Sequence, residues 1–184
     1  MKTMEMKKLY AFTIKNIHPL KEKGTFRGYA STTTLDKTND VVALGAFSET
    51  LRQWKVKKNG FPNIYEEHDP HHFIGTCKDL QEDGSGLYIE GKLFIDDIPR
   101  ANHVYQALIK GEKCGLSIGF YVVSAVNQGG VRTITKLDLV EVSIVTYPCN
   151  GEAKIHEFKT DHDPTKDSLI LQMHQLIECL KKGL

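Results

Sequence analysis

The chain has 184 residues, 40% of them hydrophobic, and a formal net charge of +1 at neutral pH. That length suits one domain with a full core and a short appendage. The charge balance lacks the basic excess of a nucleic-acid binder, and no apolar stretch is long enough to span a bilayer.

Residues 9–17 alternate loosely and read as a first strand, residues 25–30 as a second. Residues 36–45 are turn-rich. Residues 46–56 carry Phe47, Leu51 and Trp54 at helical spacing, with Ser48 near the start. Residues 61–65 form a short apolar run that stops just before His68. Residues 73–79 and 86–94 read as two strands joined at Glu82-Asp83-Gly84-Ser85, a hairpin signal. Ile98, Ala101, Val104 or Tyr105, and Leu108 recur at helical spacing, with Gly111 as the stop. Then come a strand through Ser117 and residues 120–126, a Gly129-Gly130 turn, and strands near 131–137 and 139–146. Pro148-Cys149-Asn150-Gly151 closes the body.

Beyond about residue 158 the character changes. Residues 159–167 are almost wholly polar and contain Pro164, which reads as a linker. Asp167 or Ser168 caps a final helix with Leu169, Met173, Leu176 and Leu180 on one face. The expected division is a body over residues 1–158 and a linker with an amphipathic helix over 159–184. Many short strands with few helices make the fold mainly β with flanking helices (α+β), a barrel or sandwich. The N-terminus lacks the apolar centre of a signal peptide. The cysteines, Cys77, Cys114, Cys149 and Cys179, include no CxxC pair, so free thiols are expected.

Three residue types that together make a nucleophile stand out. Ser117 lies between Gly115 and Gly119, His68 lies in Glu66-Glu67-His68-Asp69, and Glu141 interrupts the apolar run of residues 139–145. A serine hydroxyl attacks only when a base takes its proton, and a carboxylate orients that base. The window Gly115-Leu116-Ser117-Ile118-Gly119 also spells the nucleophile elbow of α/β-hydrolases. That elbow needs a strand before the serine and a helix after it, and here the order is reversed. Each residue has a plainer reading. Glu141 fits a surface position on an edge strand. His68, His71 and His72 form a cluster that suggests metal ligands, but no second ligand group or H-E-x-x-H pattern accompanies it. Ser143 is a rival nucleophile or a small packed residue, and Cys114 a rival or a buried small hydrophobe.

The ordered set of Gly28-Tyr29-Ala30, Asp36 and Asp40, Gly45-Ala46-Phe47, Glu67-His68-Asp69 and Ile74-Gly75 resembles a known family. So do Gly86-Leu87, Gly111, Leu116-Ser117-Ile118-Gly119-Phe120, Glu141-Val142-Ser143-Ile144-Val145, and Pro148 with Asn150 and Ala153. The family is that of the prohead proteases of tailed bacteriophages, similar in fold to the herpesvirus assemblins, and the resemblance covers about residues 9–156. It implies a herpesvirus-protease-like β-barrel, with Ser117 as nucleophile, His68 as base and Glu141 as third member. The related viral proteases use a second histidine in that third place. Cys149 stands where an alanine is usual.

The resemblance further implies an endopeptidase acting inside the immature capsid in the host cytoplasm. It would cleave scaffolding protein, or the scaffold arm of the major capsid protein, and itself. The expected partners are those proteins and further copies of the chain, with no membrane, no direct nucleic acid, no cofactor and no metal. For the oxyanion hole, backbone N–H groups beside Ser117 are the default expectation and Arg132 a candidate. The competing readings are a non-catalytic capsid assembly module and an esterase-type serine hydrolase.

Overall fold

In a computed structural model the chain is described over residues 20–56 and 60–160 and at Ile177. The strand expected over 9–17 and nearly all of the expected C-terminal helix lie outside these residues. Ten elements follow in chain order: β1 (Thr25–Thr32), β2 (Asp40–Val42), α1 (Ser48–Val56), β3 (Asn63–Glu66), β4 (Phe73–Glu82), β5 (Gly86–Leu93), α2 (Pro99–Ile109), β6 (Gly115–Gln128), β7 (Val131–Val145) and β8 (Ile155–Phe158). No helix among the described residues is long and apolar enough to cross a membrane.

All the strands join one curled, half-barrel sheet in the order β2-β7-β3-β4-β5-β1-β8, with β6 pairing β7 beside that path. The start of β6 also bridges the segment before β8, at Gly115 and Lys154, so the sheet bends back towards itself. Inside the curl lie Phe26, Ile64, Ile74, Leu80, Leu87, Ile89, Leu93 and Leu116, all fully buried. These come from the inward positions of five alternating strands, as a half-covered sheet requires. Gly91 is glycine because a Cβ there would fall 2.4 Å from the Phe26 ring. Helix α1 closes one side through Leu51, with Phe47 just before its first residue. Its Trp54 indole N–H donates to the Leu139 carbonyl at 3.0 Å, and the Leu139 N–H donates to Thr50 Oγ1 at 3.0 Å.

Three expectations change. The two strands expected near 131–137 and 139–146 are one strand, β7, because the partner strand β6 stays paired past Lys136 and Asp138, taking up the irregularity in register shifts around Ser124. The turn-rich stretch 36–45 contains β2, three residues long, which pairs in parallel with β7 from Asp40↔Arg132 to Val42↔Ile134. The body does not close at Pro148-Cys149-Asn150-Gly151: a further strand, β8, follows and pairs antiparallel with β1. The Gly129-Gly130 turn forms as expected, with φ of +59° and +83° that favour glycine at both positions.

Candidate active site

The site grows out of the pairing of β6 with β7. Ser117 stands opposite Ser143, and Gly119 opposite Glu141. Side chains alternate along a strand, so these four positions share one face of the ribbon. Gly119 leaves the room that Glu141 needs. A Cβ at Gly119 would sit 2.3 Å from Glu141 Oε1 and 2.9 Å from its Cγ. Between Gly119 and Phe120 the register shifts and β7 carries one extra residue, Val140, beside the carboxylate. Such a bulge re-aims the neighbouring side chain.

His68 arrives from β3, which pairs in parallel with β7 as far as Glu66↔Ile144. The chain then turns sharply. Glu67 and His68 both take left-handed backbone angles, φ +54° and +61°. The Glu67 N–H donates to the Ile144 carbonyl at 3.1 Å, and the Asp69 N–H to the Glu66 carbonyl at 3.1 Å. The next N–H, that of His68, donates to the Ser143 hydroxyl at 3.2 Å. A second layer braces the turn. Lys113, just ahead of β6, donates to buried Glu66 at 2.8 Å and to Glu67 at 2.7 Å, while Arg100 of α2 donates to Glu66 at 2.8 Å. Glu67 also accepts from the Thr146 N–H and hydroxyl.

The result is a continuous hydrogen-bonded line. Ser117 Oγ lies 2.8 Å from His68 Nε2, and His68 Nδ1 lies 2.6 Å from Glu141 Oε1. Glu141 Oε2 accepts from the Ser143 hydroxyl at 2.6 Å. The Glu141 hydrogen bond holds the His68 pKa above its ordinary 6.5, outweighing burial, with the Glu141 and Glu67 charges adding to the rise. A serine, an imidazole and a carboxylate in this order can move the hydroxyl proton onto the ring and stabilise the imidazolium that forms. Beside Ser117 opens a cleft of about 70 Å³, lined by Asp36, Ile118, Phe120, Cys149 and Asn150 among others.

The three site residues expected from sequence are thus brought together across 73 and 49 positions of chain. Glu141 is not on an edge strand: β7 has β6 on one side and β2 and β3 on the other. Ser143 is completely buried and hydrogen-bonded to Glu141, which removes it as a rival nucleophile. His71 and His72 stay in the turn beyond His68. The His71 N–H donates to Asp69, and the His72 ring lies 3.3 Å from the Asp69 carboxylate. Arg132 is committed to Asp40, to which it donates from Nε at 2.8 Å and again from its second nitrogen. Sequence reasoning passed over the roles of Gly119, Lys113 and Ser143. For Gly119 and Ser143 the signal was present, since each lies two residues from a site member on the same strand.

Residues 12–168 match the family model of the caudovirus prohead serine proteases. The chain belongs to that family. It is 30% identical over 159 residues to the prohead protease of Escherichia phage T5, covering 83% of this chain and 73% of that one. It is also 30% identical over 145 residues to the prohead protease of Enterobacteria phage HK97, covering 76% of this chain and 62% of the relative. Among solved structures it resembles the capsid assembly protease of bacteriophage T4 (TM-score 0.54, 12% identity, 66% of this chain and 80% of that one), which is a likeness of fold. The KSHV protease bound to a hexapeptide phosphonate gives a TM-score of 0.49 at 13% identity, covering 87% of this chain and 78% of that one. Family membership makes the chain a serine-type peptidase of capsid maturation and sets aside the non-catalytic assembly reading. The fold sets aside the α/β-hydrolase elbow as well, because Ser117 lies inside a strand with no helix after it.

Proposed function

We propose that this prohead protease cleaves peptide bonds with Ser117 as nucleophile, His68 as general base and Glu141 as the carboxylate that orients it. The observation that carries the reading is the unbroken line from Ser117 Oγ through both ring nitrogens of His68 to Glu141 Oε1. In acylation Ser117 Oγ bonds to the scissile carbonyl carbon while its proton passes to His68 Nε2. The tetrahedral intermediate collapses, the peptide C–N bond breaks, and the amine leaves with that proton. Water then repeats the sequence on the acyl-enzyme, giving its proton to His68 and releasing the acid. Glu141 accepts the Nδ1–H throughout, which keeps Nε2 free to take the proton and steadies the imidazolium.

Beyond Leu116 the outer edge of β6 carries no strand among the described residues, since β6 pairs only with β7. An extended peptide can add there and bring its carbonyl to Ser117, the usual way a free sheet edge is used. The substrates in this reading are the scaffolding protein or the scaffold arm of the major capsid protein, and the protease itself. The place of action is the immature capsid in the host cytoplasm. The test is co-expression with the capsid protein of the same phage, followed by intact-mass spectrometry and labelling with a fluorophosphonate. The expected result is defined cleavage products and one label on Ser117, both absent from Ser117→Ala. Undiminished cleavage by Ser117→Ala would overturn the assignment.

A further inference from the structure

One hydroxyl is tied to both other members of the site without being part of the line itself. Ser143 Oγ donates to Glu141 Oε2 at 2.6 Å and accepts the backbone N–H of His68 at 3.2 Å. The residue is completely excluded from water. The two bonds have different consequences. The first fixes the outer oxygen of Glu141, so that the inner one, Oε1, is left to face the imidazole. The second supports the main chain of His68 where it is least able to hold itself, in the second of two consecutive left-handed residues. There the parallel β3/β7 ladder has just ended, the last backbone bond being that from Glu67 to Ile144. The side chain of Ser143 supplies the next acceptor.

We infer that Ser143 is a positioning residue of the protease, setting the distance between the His68 main chain and the Glu141 carboxylate and hence the geometry of the imidazole–carboxylate pair. The inference rests on the proposed Ser117–His68–Glu141 assignment. A buried hydroxyl nearly always finds some partner, so what distinguishes Ser143 is that both of its partners belong to site residues, Glu141 and the His68 main chain. A second nucleophile would need an exposed oxygen and a base of its own, and Ser143 has neither, its hydroxyl proton being given to Glu141. Hydrogen-bond partners that orient metal ligands typically cost about tenfold to a hundredfold when removed, and a partner that orients the carboxylate of this site is expected to act on the same scale.

The experiment compares wild type, Ser143→Ala and Ser143→Cys in the full-length protease, using a fluorogenic peptide spanning a mapped cleavage site. It reads kcat and KM separately, the rate of fluorophosphonate labelling of Ser117, the melting temperature, and the downfield proton NMR signal of the His68 Nδ1–H. For Ser143→Ala the expected result is a fall in kcat of about tenfold to a hundredfold with KM nearly unchanged. Labelling slows in step, and the downfield proton signal shifts or broadens. Ser143→Cys, with a weaker donor of similar size, falls between. A folded Ser143→Ala with wild-type kcat overturns the inference. So does a loss of kcat with an unmoved downfield signal, because that is a packing defect alone. If Ser143→Ala does not fold, Ser143→Cys decides in its place: wild-type kcat together with an unchanged signal overturns the inference. The underlying assignment fails separately, through retained activity of Ser117→Ala or His68→Ala.

Discussion

At the scale of single residues, His68 is where opposing effects meet. Half-burial favours the neutral ring, but the hydrogen bond and charge of Glu141 favour the imidazolium and win. Only the neutral ring can act as base, so the acid limb of the pH–rate profile should lie above the ordinary imidazole value of about 6.5. Stability follows the same linkage with its own sign. A raised folded-state pKa contributes stability that is full below the unfolded value and is lost as the pH rises through the folded one. Melting curves of wild type against His68→Ala at pH 5.5 and 8.5 should therefore show the larger gap at the lower pH. Glu141→Gln should move the acid limb of kcat back down and cost about ten-thousandfold in rate, as replacing the orienting carboxylate by its amide does in a well-studied triad. His68→Ala should match Ser117→Ala in severity, a loss of about a millionfold, because the two act as a unit. An acid limb that stays put in Glu141→Gln would show that the carboxylate does not govern the ring.

At the scale of elements, the face shared by β6 and β7 sets the geometry. Gly119 is the narrow point, since any larger residue meets the Glu141 carboxylate on the opposing strand. Gly119→Ala should leave the sheet formed but push the carboxylate off His68, lowering kcat while KM holds. The test is a double-mutant cycle with Glu141→Gln. If Gly119→Ala acts through Glu141, its effect shrinks once that carboxylate is replaced; if it costs the same in both backgrounds, it acts elsewhere. Lys113 plays a different part, tying the start of β6 to the turn that bears His68 through Glu66 and Glu67. Lys113→Met would leave the buried Glu66 carboxylate with Arg100 alone, at a cost of about 1–3 kcal/mol in stability. Burial pushes the Glu66 and Glu67 pKa values up, but Lys113 and the other donors outweigh it and hold both below 4.5. Depressed carboxylates contribute stability above the unfolded value that is lost as pH falls through the folded one. Urea midpoints of wild type and Lys113→Met should therefore differ at pH 7 and converge towards pH 3.

At the scale of the whole molecule, the sheet's closing edge decides where the body ends. The Lys159 N–H donates to the Thr25 carbonyl at 2.8 Å, its own carbonyl accepts from the Gly24 N–H at 3.2 Å, and Thr160 is buried. The body expected to end at residue 158 therefore reaches Thr160; we propose that the separable tail starts after it and docks the protease onto capsid or scaffold protein. A chain ending at Thr160 should keep its circular-dichroism melt and its Ser117 labelling, and should be packaged poorly. A chain ending at Gln81, within β4, would lose half the sheet and serves as the unfolded control. If the chain ending at Thr160 is itself unfolded, the tail belongs to the core and the docking idea fails.

Local pattern along the chain is enough to name the residue types that could do the chemistry and most of the elements that carry them. Helical spacing at Phe47, Leu51 and Trp54, the β-branched runs around Ser117 and Glu141, and the turn glycines are local signals, set by neighbours within a few positions. The remainder comes from contacts between distant segments. The short strands β2 and β8 exist because β7 and β1 offer them an edge, and a three- or four-residue segment has too little pattern of its own. The bulge at Val140, the left-handed turn at His68 and the bonds of Ser143 depend on contacts between segments far apart in the chain. A serine in an apolar strand looks the same to its sequence neighbours whether it packs or positions. What separates the two is the hydroxyl's partners: Glu141 on the same strand, and a main-chain N–H that lies 75 residues away until the sheet closes.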